Sequence, residues 1–352
     1  MLANLPSAPY TKLIRIEVDM SRSFTTLLSF LFCITVAAAD YVCHDLGSIL
    51  AYSSSSAVAI NASRKIAAYG YHSDPPHSFS SSGFLWRGGQ RYAISIALPA
   101  DINDRGDIVG ANSQGGLYGG RLIRNGKLHL LGTLGGLWGL ATAINNNGLI
   151  VGRSTPTSLE PWFHAFAWQD GVMSDLGTLG GLSSGAEDVN NNGWIVGYGD
   201  VPLLGDRHPA LWRDGNLIDL GSPPSRYYGV ATGVNDNGEI VGYHYDNFDQ
   251  YQAFYWKEGK MTELAPLPGW PGCIAQAINN HGIIVGSSTA IGGTSFASKA
   301  TYWKDGVPHA LPITIVGNSW AMDINERGDI VGESLVPVGL SVGGRATLWS
   351  KR

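Results

Sequence analysis

The pattern Ile/Val-Asn-x-x-Gly-x-Ile-Val-Gly returns six times along this 352-residue chain, beginning at Ile102, Ile144, Val189, Val234, Ile278 and Ile324. A seventh, decayed copy begins at Ile60, with Arg64 in the first glycine place and Ala68 in the last. The first glycine falls at 106, 148, 193, 238, 282 and 328, a pitch of 42 to 46 residues. Self-similarity at that pitch, in segments short enough to be strands, predicts a β-propeller. An open β-solenoid is the competing architecture, but its rungs are usually much shorter. The pitch says nothing direct about function, because propellers host binding scaffolds and enzymes alike.

Each unit carries a second landmark, a Trp followed by a turn. It reads Trp86-Arg-Gly-Gly, Trp168-Gln-Asp-Gly, Trp212-Arg-Asp-Gly, Trp256-Lys-Glu-Gly and Trp303-Lys-Asp-Gly. Ile123-Arg-Asn-Gly replaces it in the second unit, and Trp349 closes the chain. Four strands per unit follow. Strand A enters Ile/Val-Asn, strand B is Gly-x-Ile-Val-Gly, strand C ends at the Trp, and strand D ends in Leu-Gly, as in Asp175-Leu176-Gly177. The motif Gly suits a turn with φ > 0, and the Asn can close an Asx-turn on its own backbone. Small residues such as Ala141, Ala186, Ala231, Ala275 and Ala321 in strand A place that strand innermost. Tyr41 to Gly47 has the character of a strand D without its own A, B and C, and the last unit lacks a D. Pairing the two would remove free sheet edges. The expected fold is therefore all-β: a seven-bladed β-propeller of four-stranded blades, its ring closed by the N-terminal strand.

The chain begins with material of another kind. Arg22, the apolar run Leu27–Val36 and Ala37-Ala38-Ala39 have the order of a secretory signal peptide. The run is short for a membrane span, and the residues around Cys33 do not suit a lipoprotein anchor. Residues 1–39 are expected to be removed, 1–19 being an over-long gene start if synthesis begins at Met20. A single domain over 40–352 remains, secreted to the periplasm or beyond, as a monomer. The 352 residues less 39 leave 313, with 20 basic and 26 acidic groups, net charge −6. Without a basic cluster, nucleic acid and anionic membranes are poor partners. Cys43 and Cys273 are too few and too distant to predict a disulfide.

The third unit reads His164-Ala-Phe-Ala-Trp168-Gln-Asp-Gly171, then Asp175-Leu-Gly177, then Asp188-Val-Asn-Asn-Asn-Gly193-Trp-Ile-Val-Gly197. It resembles the HAF-repeat family of bacterial extracellular repeat proteins, and the likeness spans nearly all of 41–352. The other units depart from His-Ala-Phe, with His208-Pro-Ala, Gln252-Ala-Phe and Lys299-Ala-Thr. The resemblance implies secretion and a β-rich repeat fold. It implies no activity and carries over no catalytic residue.

In a four-stranded meander the A–B and C–D turns share one face, and the B–C and D–A connections share the other. The second set varies here in length and content, so a site is expected there. Candidate ligand-binding residues are Trp138, Trp162, Tyr227, Tyr228, His244, Asp246, Trp270 and Trp320. Exposed aromatics beside carboxylates suit saccharide rings, whose C–H faces stack while their hydroxyls bond. The bland alternative is that these rings pack loops onto neighbouring units. An enzyme, a lyase or glycosidase, would draw on His244 and Asp246. Asp188-x-Asn190-x-Asn192-Gly193 matches the start of a calcium loop, but Gly199 stands where Glu is required. A hairpin turn explains that segment better. His72, Asp74 and His77 share a loop without the spacing of a zinc site. No metal, cofactor or catalytic motif is expected. A secreted, non-enzymatic scaffold for a saccharide or a surface protein is the first functional reading. A propeller enzyme and a purely structural surface protein are the alternatives.

Overall fold

The computed structural model describes residues 40–47, 54–74, 78–114, 117–159, 161–202, 206–223, 228–245, 250–292, 295–313, 317–338 and 341–352. Every regular element among them is a β-strand. The first strand is β1 (Tyr41–Asp45). The first unit is β2 (Ser54–Ile60), β3 (Ile66–Asp74), β4 (Ser78–Arg87) and β5 (Gln90–Ile94); the second is β6 (Leu98–Ile102), β7 (Ile108–Gln114), β8 (Leu117–Arg124) and β9 (Lys127–Gly132). The third is β10 (Gly139–Ile144), β11 (Ile150–Ser154), β12 (His164–Gln169) and β13 (Val172–Asp175); the fourth is β14 (Ser184–Val189), β15 (Ile195–Asp200), β16 (Arg207–Arg213) and β17 (Asn216–Asp219). The fifth is β18 (Tyr228–Val234), β19 (Ile240–Tyr245), β20 (Tyr251–Lys257) and β21 (Lys260–Glu263); the sixth is β22 (Gly272–Ile278), β23 (Ile284–Gly292), β24 (Ser295–Lys304) and β25 (Val307–Ala310). The last is β26 (Ser319–Ile324), β27 (Ile330–Val338) and β28 (Ser341–Lys351).

Each unit is an antiparallel meander in the order predicted from the repeat. The fourth and fifth are joined into one eight-stranded sheet by a single parallel pair, Arg207 opposite Tyr228. β1 pairs antiparallel with β28, Cys43 opposite Trp349, and supplies the fourth strand of the last sheet.

The landmarks fold for separate physical reasons. In strand C the Trp lies opposite the Ile of Ile-Val-Gly, as Ile195 opposite Trp212, and both are buried. The indole also ties its unit to the one before. Trp212 donates to the Leu176 carbonyl at 2.9 Å, Trp303 to Ala265 at 2.7 Å and Trp349 to Pro312 at 2.6 Å. The turn after the Trp puts two consecutive residues at φ > 0, as Asp214 (53°) and Gly215 (76°), the two-residue hairpin that matches strand twist. Every A–B pair slips register by one residue, for example between Ala141 and Ala143. This bulge carries strand A over the last motif glycine, and a Cβ on Gly152 would overlap the Leu140 carbonyl oxygen.

The motif asparagine does two jobs. Asn190 Oδ1 accepts the Asn192 and Trp194 amides at 3.0 and 2.9 Å, closing the A–B turn. Its Nδ2 donates to the Asn235 carbonyl in the next unit at 2.8 Å. The inter-unit bond runs in the same sense from Asn61 to Asn103, Asn145, Asn190, Asn235, Asn279 and Asn325, and from Asn325 to Asn61, at 2.8 to 3.1 Å. Asp offers no donor for this circuit, and Gln would push the amide a methylene too far. The decayed copy is a replacement with a purpose: Arg64 takes the left-handed conformation (φ 60°), and its guanidinium grips Asp329 of the last unit with two bonds of 2.7 Å. No disulfide joins Cys43 and Cys273. Cys273 is buried, its thiol directed at the Leu264 carbonyl at 3.2 Å.

Candidate functional site

The strands A converge at their A–B ends on a pocket of about 200 Å³. Its wall carries six carboxylates, of which three, Asp101, Asp188 and Asp323, sit on the strands A themselves. Each of these three occupies the place just before Ile/Val-Asn, where the other units have Ala59, Ala143, Gly233 and Ala277. The bulge turns each one toward the free edges of two inner strands. Asp101 accepts the Ile102 and Ile144 amides at 2.7 and 2.8 Å, Asp188 those of Val189 and Val234 at 2.7 and 2.8 Å, and Asp323 those of Ile324 and Ile60, both at 2.7 Å. Three side chains thus cap six of the seven equivalent amides. At the seventh, Ile278, the flanking places hold Gly233 and Ala277, which offer no acceptor. Burial, and then the charge of Asp323, raises Asp101 to about 7. Burial also raises Asp188 to about 7 and Asp323 to about 6, against the pull of the amides each accepts. The pocket lies at the end with the constant turns, opposite the end where the variable loops pointed to a site.

The oxygens and amides of the calcium-like segment are committed to the fold. Asp188 caps two strands, Asn190 closes its turn, and Asn192 Nδ2 donates to the Asp236 carbonyl at 2.8 Å. Among the described residues no group of three or more His, Cys, Asp or Glu is placed to hold a metal ion. His164 and His208, the recurring polar place in strand C, face strand D and meet Asp175 and Asp219 at 2.8 Å. The His of His-Ala-Phe therefore pairs with the Asp of Asp-Leu-Gly inside one sheet.

At the B–C and D–A end, rings and guanidinium groups form an unbroken series of contacts from the third unit to the fifth. Trp138 and Phe163 meet edge to face at 6.4 Å, and the Arg153 guanidinium lies 5.9 Å from the Phe163 centroid. Arg153 also reaches the Tyr198 hydroxyl at 3.4 Å, and Arg207 covers Tyr198 at 3.8 Å and Tyr228 at 5.3 Å. Tyr228 stacks on Tyr245 at 5.0 Å, Tyr245 lies 5.6 Å from Tyr251, and Tyr251 lies 5.7 Å from Tyr243. Two ion pairs are set into the series, Arg153 with Glu187 at 3.2 Å and Arg207 with Asp200 at 3.0 Å. Burial raises Glu187 against the opposing pull of Arg153 and Arg207. Burial, then the nearby Glu187, pushes the Tyr243 phenol up to about 12.

The candidates from the sequence divide. Trp138, Trp162 and Tyr228 lie on this end, with Trp138 42% and Trp162 46% exposed. Two crossovers with the same Thr-Leu-Gly-Gly-Leu sequence fold alike: Thr133 donates to Gly136 and Thr178 to Gly181, at 2.8 and 2.9 Å, holding Leu137 and Leu182 outward. Trp270 and Trp320 are half-buried, and Trp320 is paired with Glu333 across β26 and β27. Tyr227 and Asp246 lie outside the described residues. His244, expected on the accessible face, is 2% exposed and packed 4.9 Å from Phe254, because strand alternation turns it away from Tyr243 and Tyr245. Asp101, Asp323, Arg153, Glu187 and Arg207 were absent from the expectation, and Asp188 entered it only as part of the calcium-like segment. Their signal is positional: one place before the motif, one after it, the bulge residue and the first residue of a strand C.

No family model matches the chain, and no curated protein matches it. Among solved structures it is similar to the β-propeller domain of the Trilobed protease from Pyrococcus furiosus, described as revealing an open velcro topology. The TM-score is 0.57 at 13% identity, over 87% of this chain and 95% of that one. It is also similar to the Pyrococcus horikoshii acylaminoacyl peptidase, with TM-score 0.52 and 14% identity, over 86% of this chain. The match covers 53% of that chain, so the present protein spans about half of it. At such identities the likeness concerns the fold alone: this is an all-β protein of the β-propeller class.

Proposed function

We propose that the protein is a secreted, non-enzymatic propeller of the HAF-repeat type that binds a saccharide or a protein at the cell surface. Its binding surface is the B–C and D–A face. The propeller has seven blades over residues 40–352, with β1 closing the ring, and the asparagine circuit from Asn61 through Asn325 supports that closure. The carrying observation for binding is the ring-and-guanidinium series over three units, which offers contact area on rigid side chains. A lyase or glycosidase drawing on His244 is disfavoured, because that ring is buried. The signal-peptide order of Arg22, Leu27–Val36 and Ala37-Ala38-Ala39 supports removal of residues 1–39.

Fractionation of producing cells with N-terminal sequencing of the mature chain tests export. Protein retained in the cytoplasm with residues 20–39 attached would overturn it. Co-sedimentation of the purified protein with isolated cell envelopes, for the natural chain and Tyr228→Ala, tests the face; equal retention of both refutes it. Release of new reducing ends or of an unsaturated product from polysaccharide would refute the non-enzymatic reading.

A further inference from the structure

We infer that the surface running from Arg153 to Tyr251 across the third, fourth and fifth units is a saccharide site and that its ligand is a neutral, hydroxyl-rich oligosaccharide. The inference rests on the reading of the B–C and D–A face as the binding surface, and it adds the site and the ligand chemistry.

Tyr228, Tyr245 and Tyr251 lie opposite one another on three adjacent strands of the fifth unit, so their rings form a row across the sheet. They are half-buried, and Arg207 extends the row into the fourth unit. Tyr228 and Tyr245 stack on one another and Tyr251 is tilted against Tyr245, so the row offers apolar ring edges beside polar phenol oxygens. Beside it stand Arg153 with Glu187 and Arg207 with Asp200, side chains 18% to 33% exposed. They are sheltered enough to strengthen hydrogen bonds and open enough to be reached.

The chemistry of this set selects the ligand. The four charges sum to zero. A polyanion drawn to the guanidiniums meets two carboxylates, and a polycation drawn to the carboxylates meets two guanidiniums. A wholly apolar ligand would strip water from all four charges without replacing its hydrogen bonds. Each guanidinium has five N–H donors, of which its ion pair uses only part, and each carboxylate has a second oxygen. A pair of vicinal hydroxyls donates to one and accepts from the other, and charge-assisted bonds are the stronger kind. The opposite C–H face of a pyranose ring has no polar group to satisfy and packs against the tyrosine edges. A neutral sugar is the ligand whose polar edge and apolar face match both parts of this surface.

Isothermal titration of the full-length purified protein with neutral hexasaccharides (β-1,4-glucan, β-1,4-xylan, β-1,4-mannan and α-1,4-glucan) and with oligogalacturonate tests this. At least one neutral hexamer is expected to bind, with affinity changing less than twofold between 50 and 500 mM NaCl. Tyr228→Ala and Arg207→Ala should each weaken it tenfold or more. Tyr245→Phe, which keeps the ring, should stay within threefold, and unchanged circular dichroism separates lost contact from lost fold. Preference for oligogalacturonate with steep salt dependence overturns the inference, as does neutral-sugar binding that ignores both variants. If no hexamer binds but envelope retention is still lost in Tyr228→Ala, the saccharide inference fails and the binding face survives. If retention is also unaffected, both fail.

Discussion

Replacing Asn190 should cost far more than its place in a surface turn suggests. Asn190→Ala removes three hydrogen bonds at a side chain 4% exposed: the donor to Asn235 O and the acceptors for the Asn192 and Trp194 amides. The Asn235 carbonyl keeps the Gly238 amide at 3.1 Å, so loss of the Asn190 donor costs about 1 kcal/mol. Each turn amide also loses about 1 kcal/mol of net bonding, so the total is about 3 kcal/mol. Asn191 is the control. One residue on, it accepts the Asn146 amide and donates to Asp236 at 2.9 Å for each bond, but it is exposed. Water replaces those partners, and Asn191→Ala should cost about 0.5–1 kcal/mol. Asn190→Asp separates the two jobs: the turn acceptors stay, while an oxygen faces the Asn235 carbonyl, for about 2–3 kcal/mol. Urea unfolding followed by tryptophan fluorescence and circular dichroism reads these differences as shifts in midpoint. A fall in the slope of the transition for Asn190→Ala would mean that units have begun to unfold separately, as expected when the tie between them is cut. If Asn190→Ala and Asn191→Ala lie within about 1 kcal/mol of each other, the double role assigned to the motif asparagine is wrong.

Arg64→Gly restores the repeat consensus and relieves a left-handed residue, worth about 1 kcal/mol. It also strips the guanidinium from Asp329, whose side chain is 1% exposed; Arg64 is itself 49% exposed and Asn325 still donates to Asp329 at 3.3 Å, so the loss is about 2–3 kcal/mol. Urea midpoints should therefore fall by the equivalent of about 1–2 kcal/mol, and a stabilised variant would refute the pairing argument. For the three strand-A carboxylates, folded values raised to about 7, 7 and 6 mean that the folded protein holds more protons than the unfolded chain from about pH 4 upward. Their stabilisation is complete below the unfolded value and is lost as pH rises through 6 to 7, by about 1.4 kcal/mol per pH unit for each carboxyl still protonated. Melting temperatures from pH 5 to 8 should therefore fall less steeply in Asp188→Asn than in the natural chain, and an identical or steeper slope would count against this. His164→Ala should cost about 0–1 kcal/mol despite its place in the repeat signature, because its pair with Asp175 is 25% and 40% exposed; a chemical-denaturation loss above 2 kcal/mol would show a larger role.

What could be read from the sequence depended on whether a residue's job recurs in every unit. The Ile opposite Trp, the paired φ > 0 residues after it and the four-strand order recur because each unit solves the same packing problem. Their period therefore exposed the meander and the fourth strand supplied by β1. The asparagine was visible as a turn former, but its inter-unit bond was not, since nothing in one unit says what its Nδ2 meets in the next. Arg64 looked like decay for the same reason: its partner lies 265 residues away. Site residues fail the recurrence test altogether. Asp101, Asp188 and Asp323 occupy three of seven equivalent places, and one carboxylate serves two strands, so a carboxylate in every unit would crowd like charges around one axis. The place after Ile-Val-Gly holds Arg153, Tyr198 and Tyr243 in adjacent units and Ser287 in the next. A repeat hides its site because the residues that make one set of units different from the others must break the period, and broken period looks like noise until the fold brings those places together.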